Sequence, residues 1–518
     1  MKFVSTCGTL KPVSFEYTLK HAIPSEKNLW MPESIPVVNF SECKSLKDFI
    51  NTIMIAFVPE IWTVDMLDDF IMPIKVEEKT FRRRTVQELQ LFHGPTEAFK
   101  DVGTQVAAKI YGKLFDKNNY RVVVATSGDT GGAVASAFAK TNGIPVTILF
   151  PEGKISLYQE EQITKVNDPY FRILALSIYG NFDDCQKLAK KLLSSSPNLL
   201  SSNSISLARL LPQIAYHAWV ASKYPNSTLV IPSGNMGNVV SAMMAKRMSA
   251  PISSIHIACN ANDAVVRYIN ARDSLYIPKK TVETPASAMD VGSPSNMIRI
   301  LYLDPSCKSL SASSTTTKSI LDISKEMGVC PHTATAYDAS IYLPYTSNII
   351  VLATASPKKF QKNKQSGLNY HCTCLRQTKL YIANPLVVYI VGLPCSGKET
   401  LSRALNGQVW KDKTEEEILS SEKMTGVIAL PPYVVLNEKV MLFLRSQPRS
   451  VVVFLHLEYT SIESRMKNRK DDIFENLHFY DLIARFARHF MAFSDYKIST
   501  DKHTIDECVT ILKKIGCV

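Results

Sequence analysis

No uninterrupted apolar stretch in this sequence approaches the roughly 18 residues that a membrane-spanning helix needs, so neither a helical membrane protein nor a membrane partner is expected. The segment "MKFVSTCGTL" lacks the apolar core of a secretory leader and the arginine-rich amphipathic pattern of a transit peptide, so a cytoplasmic location is expected. The eleven cysteines are odd in number and scattered, which argues against a disulfide framework and for reduced thiols. "HCTC" at His371 to Cys374 has no second ligand pair at metal-binding spacing, so no metal is expected. Acidic residues are missing from one segment, Lys358 to Lys379, whose six basic residues supply half of the net charge of +12. With the surplus confined to what reads as a solvated linker, neither flank carries the basic footprint of a nucleic-acid binder.

What is present describes a globular chain. Its 518 residues exceed one ordinary core, and two or three domains are expected. Short β-branched runs ("RVVVATSG", "IPVTILFPEG", "FRILALSIYG", "STLVIPSG", "SSIHIACN") alternate with stretches of helical spacing such as "DTGGAVASAFAKTNG" and "NVVSAMMAKRM". That order predicts βα units and an α/β fold with mostly parallel sheets flanked by helices, where ligands bind beyond the strand C-termini. The pattern restarts after the linker with "PLVVYIVGLPCSGKETLSRAL", which predicts a second, smaller α/β domain. The boundaries drawn are 1–88 and 89–357 for the two parts of the first domain, 358–384 for the basic linker and 385–518 for the last domain.

One lysine stands out. In "LFHGPTEAFKDVGTQ", Lys100 follows a Gly-Pro turn and Phe99 and precedes an aspartate, flanks that suit a lysine held in a pocket. Two strand-to-helix turns accompany it. "ATSGDTGGA" places Ser127, Gly128, Asp129 and Thr130 at a helix start, and "PSGNMGN" lets Gly234 and Gly237 bring backbone donors close to an anion. "CPHTATAY" adds the hydroxyl of Thr333 beside a turn. A lysine amine with two anion cradles suits a phosphorylated aldehyde cofactor: the amine forms a Schiff base, and pyridoxal 5'-phosphate stores the electrons of a substrate carbanion. His93 and His332 are read as local hydrogen-bonding groups, and Met243 with Met244 as core.

The region up to about residue 357 resembles the threonine synthase family, within the tryptophan-synthase-β-like fold of pyridoxal-phosphate enzymes. The residues that carry the resemblance are "LFHGPTEAFKD", "ATSGDTGGA", "FPEGKISLYQEEQ", "GNFDDCQKLAK", "NSISLARLLPQIAYHAW", "PSGNMGN", "TPASAMDVGSPSN" and "PHTA". It implies Lys100 as the Schiff-base lysine and base, and Gly234, Asn235, Met236, Gly237 and Asn238 around the cofactor phosphate. Met236 stands where the family usually has phenylalanine. The same resemblance implies Thr333 at the pyridine nitrogen, Ser127 to Thr130 at the substrate carboxylate, and Ser204, Arg209, Asn296 and Arg299 near the leaving phosphate. The implied reaction converts O-phospho-L-homoserine and water to L-threonine and phosphate.

Several segments depart from the family. Cys7 replaces an arginine, "HAIPSEKNL" lacks paired glycines, Ser206 and Leu207 replace an amide and an indole, and the stretch before "CPHTA" is short. These changes keep two alternatives open: a phospho-lyase giving 2-oxobutyrate, phosphate and ammonia, and a cofactor-binding interaction module without turnover. The partner expected in either active case is a small phosphorylated amino acid. Oligomeric state is left open.

The last domain carries "GLPCSGKET", in which Gly392, Gly397 and Lys398 fit a phosphate-binding loop, although Glu399 stands where a hydroxyl should meet magnesium. This region resembles a shikimate-kinase-like domain. Its paired aspartates are reduced to Asp412, and its glycine turn has become Pro431 to Tyr433, where proline offers no N–H. A degenerate nucleotide-binding or structural module is expected, without kinase activity.

Overall fold

The computed structural model describes residues 1–24, 28–141, 143–164, 166, 173–178, 180–271, 276–344, 348–360, 379–380, 387–392, 396, 398–410, 414, 417–418, 426–430, 440, 444, 450–456, 496–500 and 503–514. The chain divides into two compact units. Met1–Ile173 and Gly180–Asn363 form one; Leu174–Tyr179 and Lys364–Val518 form the other. His371 to Cys374, Gly397, Asp412 and Pro431 to Tyr433 lie outside the described residues, as does most of the basic linker.

The strands of the first part of the chain are β1 (Phe3–Ser5), β2 (Trp30–Pro32), β3 (Lys75–Phe81), β4 (Arg84–Gln90), β5 (Arg121–Ala125), β6 (Val146–Pro151), β7 (Ile173–Ile178), β8 (Leu199–Ser201), β9 (Ser227–Pro232), β10 (Ile252–Cys259), β11 (Leu310–Ser314) and β12 (Asn348–Ala353). The larger sheet of the first unit runs β11-β10-β9-β12-β4-β3, parallel except for the antiparallel β3–β4 hairpin at its edge. That hairpin turns on Arg82 and Arg83, both at positive φ (46° and 66°), the backbone pair a two-residue turn requires to match strand twist. A second parallel arrangement holds β5 between β6 and β8. Every residue of β6 and β9 is buried, as expected for strands covered on both faces.

Three helix starts point the site's residues past the strand ends. They belong to α3 (Lys100–Leu114), α4 (Asp129–Lys140) and α9 (Gly237–Arg247), in a series that begins with α1 (Phe15–Lys20) and α2 (Leu46–Phe57). Between them run α5 (Leu157–Thr164), α6 (Phe182–Ser195), α7 (Leu207–Leu210) and α8 (Ile214–Lys223); α10 (Ala264–Ala271), α11 (Met297–Leu303), α12 (Thr317–Met327) and α13 (Pro331–Ser340) follow. All ten residues of α13 are buried, the polar His332, Thr333, Thr335, Asp338 and Ser340 included, so this helix runs through the core. Its Ala334, Ala336 and Tyr337 pack with Val230 of β9 and Val351 of β12. Met243 and Met244 are buried, in line with their reading as core.

In the second unit β14 (Val387–Gly392) is central to a parallel sheet with β15 (Gln408–Val409), β16 (Gly426–Ala429), β17 (Ser450–His456) and β18 (Tyr496–Ser499), after the short β13 (Lys379–Leu380). Helix α14 (Lys398–Ala404) follows β14. Ile390, Leu401, Val453 and Leu512 belong to one apolar cluster.

Candidate active site

The Gly-Pro turn before Lys100 is fixed by a buried carboxylate. The backbone N–H of Thr96 donates to Asp101 Oδ2 (2.9 Å) and its hydroxyl donates to Oδ1 (2.6 Å). Gly94 is needed here, because a Cβ would stand 2.6 Å from Asp101 Oδ2. The chain then runs alongside the end of β12: Phe99 N–H donates to the Thr354 carbonyl (2.9 Å) and Ser356 N–H to the Glu97 carbonyl (3.0 Å). Lys100 is thereby delivered to the first position of α3, with its Nζ 4.6 Å from the centre of the Phe99 ring.

Its amine faces a cavity that also collects Ser127, Thr130, Ser204, Arg209 and the whole segment Gly234 to Asn238. The cradle at Gly234 to Asn238 is built for close approach. A Cβ on Gly234 would stand 2.7 Å from Met289 Cα, and Met236 adopts left-handed backbone (φ 61°) just ahead of α9, an uncommon conformation for a side chain of its size. Asn238 accepts hydrogen bonds from Tyr216 Oη (2.7 Å) and His217 Nε2 (2.8 Å) on Oδ1, while its buried Nδ2 has no protein partner. Burial pushes His217 down to about 3, so it stays neutral and holds Asn238 from behind. Asn235 Nδ2 donates to Ser204 Oγ (2.8 Å), which ties the cradle to the opposite wall.

The turn at Ser127 to Thr130 is different. Thr126 Oγ1 accepts the N–H groups of Gly128 (3.0 Å) and Gly131 (2.8 Å), and Gly128, at φ 122°, packs on Gln159. Only Ser127 and Thr130 of the four expected residues line the cavity. Asp129 turns inward, where its Oδ2 lies 3.3 Å from Lys100 Nζ and its Oδ1 lies 2.9 Å from Lys359 Nζ and accepts from Gln159 Nε2 (2.9 Å). Burial alone would raise the Asp129 carboxyl; Lys359 and Lys100 overcome it and hold the group well below the usual carboxylate range. Burial pushes the Lys100 amine below its ordinary range, Asp129 pulls it back up, and Lys359 and Arg209 push it down again.

Three further expected site residues do not line this cavity, and one residue of the expected linker is buried. Thr333 does not line this cavity: its N–H donates to Cys330 Sγ (3.4 Å), its hydroxyl lies 3.1 Å from the same sulfur, and it faces a separate cleft with Glu88 and His93. Thr354, next after β12, is one of the hydroxyl residues that do line it. Arg299 is fully buried, and its donors are taken by the carbonyls of Trp30 (2.9 and 3.1 Å), Ser204 (3.0 Å) and Ile205 (2.7 Å) and by Asn296 Oδ1 (2.8 Å). Asn296 in turn donates to Ser204 Oγ (3.0 Å) and the Asn235 carbonyl (2.9 Å), so both residues brace the wall without lining the cavity. Lys359, counted with the solvated linker, is fully buried, because the turn Pro357–Phe360 folds back to give its amine the Thr96 carbonyl (2.8 Å) as well as Asp129.

Arg209 does line the cavity. One of its terminal nitrogens donates to the Ser202 carbonyl (2.6 Å), and its buried Nε has no protein partner. His332 also lines it; its Nε2 accepts the Ala288 N–H (3.2 Å) and burial pushes it down to about 4, so it is a neutral ring there. His93 Nε2 lies 2.8 Å from Gln90 Oε1, a local role. The substitutions at Ser206 and Leu207 fall in the core, Ser206 Oγ lying 2.8 Å from Tyr111 Oη, and neither residue lines the cavity.

A glycine cradle, an orphaned amide donor and the start of an eleven-residue helix fit a phosphate, and a lysine between two walls fits an aldehyde. The class this describes is confirmed by a family model, "Pyridoxal-phosphate dependent enzyme", which matches residues 89–354. Threonine synthase of Buchnera aphidicola from Schizaphis graminum is 35% identical over 408 residues, 73% of this chain and 94% of the relative. Among solved structures, PLP-bound threonine synthase from Brucella melitensis is 28% identical with a TM-score of 0.61, covering 70% of this chain and 89% of that one. Threonine synthase from Escherichia coli is 25% identical with a TM-score of 0.63, covering 90% and 100%. The chain belongs to the threonine synthase family, and its cofactor is pyridoxal 5'-phosphate.

Proposed function

We propose that the protein converts O-phospho-L-homoserine and water to L-threonine and phosphate. The observation that carries this reading is Lys100, partly buried beside Asp129 at the rim of a glycine cradle, in a chain of this family. Bound pyridoxal phosphate supplies the electron sink that makes the substrate's α-proton, and then its β-proton, removable. Lys100 would hold the cofactor and then move those protons, with Gly234 to Asn238 around the cofactor phosphate. Ser127 and Thr130 would bind the substrate carboxylate, and Arg209 with Ser204 would receive the phosphate that leaves the γ-carbon. A hydroxyl toward the ring nitrogen, from Thr333 as the family resemblance implies or from Thr354 on the lining, would leave that nitrogen's proton optional, which suits elimination and replacement. Product analysis with O-phosphohomoserine tests the reading: threonine supports it, whereas 2-oxobutyrate with ammonia would establish the phospho-lyase. The placement of Ser206 and Leu207 in the core favours the synthase.

We further propose that residues 385–518 form a degenerate phosphate-loop module of shikimate-kinase-like type without kinase activity. Support comes from the order of β14, the "GLPCSGKE" segment and α14, with Lys398 buried at the helix start. Gly392 and Lys398 would meet a nucleotide phosphate; Gly397 lies outside the described residues. Calorimetric ATP binding that disappears in Lys398→Ala supports a nucleotide role, and no binding leaves a structural one. A cytoplasmic location is consistent with the finding that, among the described residues, no helix is long and apolar enough to cross a membrane.

A further inference from the structure

The inner carboxylate of the site is shared by two lysines, one fully buried and one partly buried, and only the second faces the cavity. Lys359 Nζ makes the shorter ion pair to Asp129 (2.9 Å), has the Thr96 carbonyl as a second acceptor and is 0% exposed. Lys100 Nζ is 3.3 Å from the other carboxylate oxygen and 16% exposed. It also stands at the first residue of α3, where the helix dipole disfavours a cation. Three other charged or titratable groups lie around it. Arg209, on α7, is a further cation; His332, on α13, is neutral; Asp101, on α3 itself, is bonded to Thr96.

We propose that Lys359 is a positioning residue that sets the reactivity of Lys100 by holding Asp129 as its own counter-ion. The inference rests on reading Lys100 as the residue that carries the cofactor. An ammonium cannot attack an aldehyde: Lys100 first gives one proton to solvent, its nitrogen then forms the C=N bond to the cofactor's aldehyde carbon, and the aldehyde oxygen leaves as water. With two ammonium groups and one carboxylate, the proton that leaves is the one on the less well held, cavity-facing amine. Asp129 therefore stays close enough to orient Lys100 without fixing it in the charged form.

The test follows the visible absorbance that appears when pyridoxal phosphate is added to the full-length protein stripped of cofactor, across a pH series. In Lys359→Met the undivided carboxylate stabilises the Lys100 ammonium, so the pH midpoint for imine formation rises by about one unit, with about tenfold slower formation below the midpoint. Lys359→Arg keeps the charge and the wild-type midpoint, and Asp129→Asn moves the midpoint down. Should Lys359→Met not fold, Lys359→Gln with Asp129→Asn gives the same contrast. A midpoint unmoved in Lys359→Met, or moved equally in Lys359→Arg, overturns the proposal. Borohydride reduction and peptide mass then place the adduct; an adduct on another amine overturns the reading of Lys100 itself, and the proposal with it.

Discussion

The two glycine-bearing turns of the first unit look alike in sequence and differ in what fills them. At Gly234 to Asn238 the helix start is open, and the Asn238 amide waits without a protein partner. At Ser127 to Thr130 the donors are capped by Thr126, and the helix start holds the protein's own anion, Asp129. On the proposed function one turn would receive an outside phosphate, whereas the other has an internal carboxylate that pairs with two lysines and leaves two hydroxyls on the cavity. A strand–glycine–helix turn thus marks where an anion will sit, but whether it comes from solvent or from the chain depends on one side chain.

The largest effect should come from the group both turns serve. Lys100→Ala is expected to lower turnover on the order of 1,000-fold or more and to abolish the visible band of the holoprotein, read by single-turnover kinetics and spectroscopy. Asp129→Asn breaks the closed turn: it leaves Lys359 buried without a counter-charge and should cost about 3–5 kcal/mol in denaturant unfolding. The same variant should lose the acid limb of the wild-type stability curve. The folded pKa of Asp129 is depressed, so its stabilisation is present above the unfolded value of about 3.9 and disappears as pH falls through the folded one.

Gly234→Ala breaks the open turn. Its Cβ would meet the Met289 backbone, so cofactor affinity, measured by titration, should fall about tenfold, with about 1–3 kcal/mol lost in stability. Cys7→Ser lies outside both turns, on an exposed residue, and should change stability by less than about 0.5 kcal/mol and leave kcat/KM as it was. A large kinetic effect of Cys7→Ser would show that the N-terminal departure reaches the substrate.

The features legible in sequence were those set by near neighbours. Lys100 announced itself through the turn before it, and the cradle through glycines whose spacing suits close approach. The parallel arrangement followed from apolar runs that end in turn residues. Thr354 and Lys359 were hidden because their meaning depends on chain far away: "LATASPKKF" reads as a strand end followed by basic linker until Phe99 and Thr96 are brought to it. Arg299 misled for another reason. Its expected place near the leaving phosphate came from the family resemblance alone, and only the folded chain shows carbonyls at its donors.

That enclosed guanidinium has a consequence for how the molecule can be cut. Because Arg299 grips the main chain at Trp30 as well as at Ser204 and Ile205, the paired strands β1 and β2 work as a keystone for the pocket wall. A fragment trimmed to residues 89–357 would strand a buried positive charge with dangling donors, so the leading segment is a foundation of the catalytic half and no detachable appendage.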